Sequence, residues 1–436
     1  MAKVSGILLH PTSLPGGDLS QAFKWLDFLH DSKQHVWQVL PLCPTGYGGC
    51  PYNGLSAFAG NPKLISPDNL AGYQSKKEDF EEFCSKQAAW LDDFALFSAI
   101  DKQQGHVIWT KWPKGLAERD KAALADFRSG FAREIEAAKF SQFVFHGQWD
   151  DLHNHAKRKG IRIIGDAPLY VGHHSADVWA RRELFCLDKN GNPTLKAGFP
   201  PDQSWGNPIY RWDEMRRTGY GWWIERFRHM LGMVDQIRID HFCGLATYWE
   251  IPANANASQG RWADGPRSDL FNALKKGLGH VPFVAEDLGA LTPEVCHLRD
   301  QFGIPGMRVM HFGFDGNPDN FYLPHKYPEN CVAYTGTHDN DTTRGWYDKT
   351  PSDRRDAVRR YLRCSDHDVT WAMIAALQYS AANTAIVPMQ DVLDLGSHAR
   401  MNVPGRADGN WGWRMDCVPP KPNGRLVDLA YKTGRA

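Results

Sequence analysis

Gln236-Ile237-Arg238-Ile239-Asp240-His241 reads as a short strand that ends in ionisable groups. Arg238 and Asp240 are two apart, so on a strand they share one side. A cation beside a carboxylate keeps it ionised, which a nucleophile needs. A structural ion pair inside the fold accounts for the same spacing equally well.

Seven other stretches have the same character. They are Gly6 to His10, Val36 to Pro41, Ile161 to Asp166, Pro282 to Glu286, Met307 to His311, Cys331 to Thr335 and Ala385 to Asp391. Near-continuous apolar runs indicate parallel strands buried on both faces. Eight of them with helical crossovers predict an α/β fold, a (β/α)8 TIM barrel. Many runs end in a polar side chain: His10, Asp166, Asp240, Glu286, His311 and Asp391, with His338 and Asp339 just after the seventh. A barrel gathers the C-terminal ends of its strands around one mouth, where catalytic groups collect.

The connections are uneven. About 120 residues separate the second and third runs. This predicts an inserted, mainly helical subdomain over 67–150 within a single catalytic barrel spanning 1–436. Helices are also expected over Lys76 to Gln104, Asp353 to Leu362 and Thr370 to Tyr379. Loop insertions should crowd the C-terminal face, and 396–436 should wrap the barrel as loop.

With 42% hydrophobic residues in 436, the chain can bury a large core. Fifty basic and fifty acidic residues balance, which favours neither nucleic acid nor an anionic membrane as partner. No apolar run reaches the roughly 18 residues of a membrane span, and the N-terminus lacks a signal-peptide pattern. Nine cysteines without a CxxC pair fit a reducing cytoplasm rather than a disulfide framework or a zinc site. Seventeen tryptophans is an unusual number; most should fill the core, and several could serve as sugar platforms.

Two further segments carry chemistry. Glu286-Asp287 closes an apolar strand; Glu286 among aromatics could be a proton donor, and Asp287 could cap a helix. The loop Thr335 to Thr342 is dense in short polar groups, and Asp339 could stabilise positive charge while His338 donates a hydrogen bond. It lacks the liganding pattern of a calcium loop, so no metal is expected. Neither a GxSxG elbow nor a GxGxxG or phosphate-binding loop is present, so no cofactor is expected. Three carboxylates on three strand ends fit glycoside chemistry better than most alternatives.

The order of motifs is more specific still. Gly6 to Gly16 opens the chain with His10-Pro11-Thr12-Ser13, followed by Cys50-Pro51-Tyr52-Asn53, Pro200-Pro201-Asp202, Trp205-Gly206-Asn207-Pro208, Arg238 to His241, Ala285 to Gly289, Thr335 to Asn340 and Arg400 to Gly405. Over nearly its whole length this resembles the amylomaltases, the disproportionating 4-alpha-glucanotransferases of glycoside hydrolase family 77. The resemblance implies Asp240 as nucleophile, Glu286 as general acid/base and Asp339 as transition-state stabiliser. It implies Tyr52, Asp202, Trp205, Asn207, Arg238 and His338 as substrate-binding residues. It also implies an α-1,4-glucan donor and a glucose or maltooligosaccharide acceptor. An α-glucan hydrolase on the same scaffold, or an inactive glucan-binding protein, are the alternatives. The chain departs from the family in three places. Only Gln203 and Ser204 separate Asp202 from Trp205, the stretch after Pro15-Gly16 is trimmed, and His174 precedes Ser175 where an Asp is expected.

Overall fold

The computed structural model describes residues 3–68, 70–289 and 291–436. Its strands, in chain order, are β1 (Val4–Leu8), β2 (Val36–Gln38), β3 (Arg162–Ala167), β4 (Leu195–Phe199), β5 (Gln203–Pro208) and β6 (Gln236–Ile239). Then come β7 (Thr247–Pro252), β8 (Arg261–Asp264), β9 (Phe283–Ala285), β10 (Gly306–Val309), β11 (Cys331–Tyr334) and β12 (Thr384–Pro388). Eight of these close a parallel barrel in the order β1-β12-β11-β10-β9-β6-β3-β2. They are the eight strands expected from the sequence.

Alternation along each strand explains why the runs are apolar on both sides. Ile7, Ile163 and Phe283 belong to the large core shared with the helices. Their successors Leu8, Ile164 and Val284 belong to a separate cluster with Val36, Met307, Val332 and Ile386, which fills the barrel interior. Register carries this across strands: Asp166, Arg238 and Val284 lie side by side on β3, β6 and β9. Asp166 and Arg238 therefore face inward, above the apolar layer. Tyr334 on β11 reaches across this interior to Gln38 on β2, donating its hydroxyl at 2.7 Å.

Two 27-residue helices, Lys77–Gln103 and Ala132–Arg158, dominate the connection between β2 and β3. They bury Trp90, Phe94, Phe145 and Trp149 against the barrel, and Trp149 donates its indole N–H to the Met233 carbonyl at 2.9 Å. Helices at Ser352–Leu362 and Val369–Tyr379 precede β12.

Three features differ from the sequence expectations. A second, four-stranded antiparallel sheet, β5-β4-β7-β8, stands beside the barrel. Asp287 caps no helix. Its carboxylate instead accepts from Arg299 at 2.5 Å and from the Met307 N–H at 2.8 Å, while Thr292 caps the next helix. The C-terminal stretch is not loop throughout, because Gly424–Thr433 is a helix capped by Asn423. Beyond it, Arg435 is fully buried and donates to the carbonyls of Gln378, Val4, Ser380 and Ala382 at 2.7–3.1 Å.

Candidate active site

At the C-terminal mouth of the barrel lies an open cavity of about 820 Å³. Tyr52, Trp205, Asn207, Arg238, Asp240, Glu286 and Asp339 all line it, with Phe199, Phe312 and Trp411 among the apolar walls. Seven of the nine residues expected at the site thus meet in one space. His338 sits immediately behind it, its ring stacked on Tyr52 at 5.1 Å and 10°. Asp202 is exposed at the β4–β5 turn and is not among the lining residues.

Asp240 and Glu286 directly follow β6 and β9, which are neighbours in register at Ile239 and Ala285. Neighbouring strands lie about 4.8 Å apart, so the two carboxyls start from adjacent backbone positions. Backbone geometry then ties them together. His241 adopts a left-handed conformation, φ 49° and ψ 46°, and its N–H points at Glu286 Oε2 at 2.8 Å. Such a conformation costs a non-glycine residue on the order of 1 kcal/mol, and it spends that strain beside two acids. The Leu288 N–H supplies a second donor to Glu286 Oε1 at 3.2 Å.

Arg238 is the electrostatic centre. Its guanidinium donates to both carboxylate oxygens of Asp166 at 2.8 Å and lies 3.0 Å from Asp240 Oδ1. Burial works against the charge of Arg238, but Asp166 and Asp240 outweigh it and hold the cation well above its ordinary value. Burial pushes Asp240 up to about 6, opposed by Arg238. The same burial pushes Glu286 up to about 8; Arg238 opposes this and the charge of Asp240 adds to it. Burial thus raises both acids, Glu286 further than Asp240, which lies beside Arg238.

Asp339 is held from the other side. Asn402 donates its side-chain amide to Asp339 Oδ1 at 2.6 Å, and Arg400 donates to the Asp339 carbonyl at 2.6 Å. His338 Nε2 lies 3.5 Å from the same carboxylate, and burial lowers the imidazole below its ordinary value. Beneath the loop, buried Asp391 accepts from Thr335 Oγ1, Thr343 Oγ1 and the Thr343 N–H at 2.6–2.7 Å.

Some functional groups were not among the expected site residues. Asp166, which pairs with Arg238 and accepts from the Tyr52 hydroxyl at 2.7 Å, was visible only as a polar strand end. Asn402 and Arg400 lie in the quoted Arg400 to Gly405 motif, far along the chain from Asp339. Asn207 lines the cavity, but its amide N–H is committed to the Val171 carbonyl at 2.9 Å. Among the described residues no cluster of His, Cys, Asp or Glu is arranged to hold a metal ion.

Barrel, acidic mouth and aromatic walls define a carbohydrate-active α/β-barrel enzyme. A family model described as 4-alpha-glucanotransferase (glycoside hydrolase family 77) matches residues 8–77 and 70–419. The 4-alpha-glucanotransferase of Thermus thermophilus is 42% identical over 497 aligned positions, covering 100% of this chain and 99% of that one. That of Synechocystis sp. is 43% identical, covering 94% of each. The solved amylomaltase from Streptococcus agalactiae in complex with acarbose superposes with a TM-score of 0.94 at 34% identity, covering 100% of both chains. The chain belongs to glycoside hydrolase family 77, the 4-alpha-glucanotransferases, and its activity is 4-alpha-glucanotransfer. The 497 aligned positions exceed the 436 residues present, so the alignment contains gaps in this chain. Among the described residues no helix is long and apolar enough to cross a membrane.

Proposed function

We propose that transfer proceeds by double displacement, with Asp240 as nucleophile, Glu286 as general acid/base and Asp339 as the group that stabilises charge at the anomeric carbon. Protonated Glu286 gives its proton to the glycosidic oxygen while Asp240 attacks the anomeric carbon. The carbon–oxygen bond breaks and the leaving glucan carries that proton away. Glu286, now a carboxylate, takes the proton from the 4-hydroxyl of an incoming acceptor. That oxygen displaces Asp240 and rebuilds an α-1,4 bond. Two inversions retain the anomer, a path suited to carboxyls about 5–5.5 Å apart. Tyr52, Arg238 and His338 orient the donor glucose, Trp205 and Asn207 border the groove, and Asp202 reaches the donor only from its exposed turn.

The observation that carries this reading is the placement of two acids at the ends of neighbouring strands in one cavity, with Arg238 3.0 Å from Asp240. The donor is an α-1,4-glucan and the acceptor glucose or a maltooligosaccharide. Nine free thiols support a cytoplasmic location. The helical segment over 67–150 we treat as a subdomain supporting the barrel, and 396–436 as the segment that brings Arg400 and Asn402 to Asp339.

Incubation with maltotriose tests the reaction. A ladder of longer oligosaccharides together with free glucose is expected. Reducing ends that rise without a ladder would indicate hydrolysis instead. Asp240→Asn should lower either product by several orders of magnitude, and an active variant would overturn the role given to Asp240.

A further inference from the structure

We propose a further glucan-binding subsite on Trp262, outside the catalytic cavity, that holds the part of an α-1,4-glucan extending beyond it. This rests on reading the cavity as the glucan site. Of the seventeen tryptophans, only Trp205 and Trp262 are exposed, at 36% and 46% of their surface. A single exposed aromatic needs no explanation, but these two stand on one small sheet and are joined through the cavity wall. Trp205 lines the cavity and meets the ring of His241, the residue after Asp240, at 4.9 Å. Phe199, also in the lining, meets His241 at 6.2 Å and Trp262 edge-on at 6.0 Å and 84°. A chain of ring contacts therefore links the residue beside the proposed nucleophile, through Phe199, to Trp262.

Trp262 is also held firmly. It pairs across β7 and β8 with Trp249, ring against ring at 5.2 Å and 70°. Trp249 is itself anchored, its indole N–H donating to the Ala257 carbonyl at 2.8 Å. A fixed ring with nearly half its surface open suits the apolar C–H face of a glucose unit at little entropic cost. Because Trp262 is not among the lining residues of the cavity, only chains long enough to leave it can reach the indole. The occupant is a continuous α-1,4-glucan, and the signature is dependence on chain length.

The test compares kcat/KM for maltoheptaose and maltotriose in the wild type, Trp262→Ala and Trp262→Phe. Loss of the indole should lower the maltoheptaose-to-maltotriose ratio about tenfold in Trp262→Ala, with a smaller fall in Trp262→Phe, which keeps part of the apolar area. An unchanged ratio in both variants, or equal losses with both sugars, overturns the subsite. Should Trp262→Ala fail to fold, the same ratio in Trp262→Phe decides. Asp240→Asn separates this from the reading beneath it. If that variant is inactive and the ratio unmoved, only the subsite fails; if it is active, the catalytic reading fails whatever Trp262 does.

Discussion

The backbone N–H of His241 donates to Glu286 Oε2 at 2.8 Å. One peptide plane therefore joins the carboxyl of Glu286 to the residue that follows Asp240. Adjacent strands and this bond place the two acids side by side. What differs between them is charge. Arg238 lies 3.0 Å from Asp240, whereas Glu286 accepts only from backbone amides among the described residues.

That difference predicts a bell-shaped pH dependence of kcat/KM. Below about 6, Asp240 takes up a proton and loses nucleophilicity. Above about 8, Glu286 loses the proton it must donate. Initial rates with maltotriose between pH 4 and 10 should show both limbs, and Glu286→Gln should abolish the alkaline limb along with most of the rate.

Arg238→Met should move the acid limb upward. The guanidinium opposes the effect of burial on Asp240, so removing it leaves Asp240 and Asp166 facing each other and makes each harder to ionise. Residual activity should therefore peak at higher pH than in the wild type. The variant should also lose about 3–5 kcal/mol of stability, the usual cost of breaking a buried pair, measurable by urea unfolding.

Asn402→Ala should lower kcat more than it raises KM. The amide holds Asp339 Oδ1 at 2.6 Å, and Asp339 is assigned to the transition state rather than to ground-state binding. Equal effects on kcat for a variant of similar size at a neighbouring exposed position, such as Asp408→Ala, would remove the specific role.

Gly306→Ala should destabilise the barrel by about 1–3 kcal/mol. A Cβ at this position would lie 2.3 Å from Asp287 Oδ2 and 3.0 Å from Arg299. Only glycine lets the carboxylate of Asp287 reach the Met307 N–H. Thermal unfolding of the variant checks this, and the Arg299 ion pair should weaken with it.

The barrel was legible because its strands are short, apolar on both faces and terminated by ionisable groups. Asp240, Glu286 and Asp339 stood out for the same reason. The second sheet was not legible: Lys196, Gly198, Gln203, Ser204 and Gly206 give β4 and β5 no apolar run, since much of that surface meets solvent. Asp166 was seen as a strand end, but its partnership with Arg238 spans 72 positions and leaves no local spacing to detect. Asp287 resembled a cap because it precedes a turn; only register shows that β10 supplies its N–H donor. The terminal helix escaped notice because the glycine, proline and arginine around it dominate the composition of the segment.

The most direct test is to trap the glycosyl-enzyme. A 5-fluoro-α-glucosyl fluoride, whose fluorine slows turnover of the intermediate, would be incubated with the enzyme, and the labelled peptide sequenced by mass spectrometry. The label should sit on Asp240 through an ester that forms only while Asp240 is ionised. A label on Glu286 or Asp339, with Asp240 unmodified, would contradict the account.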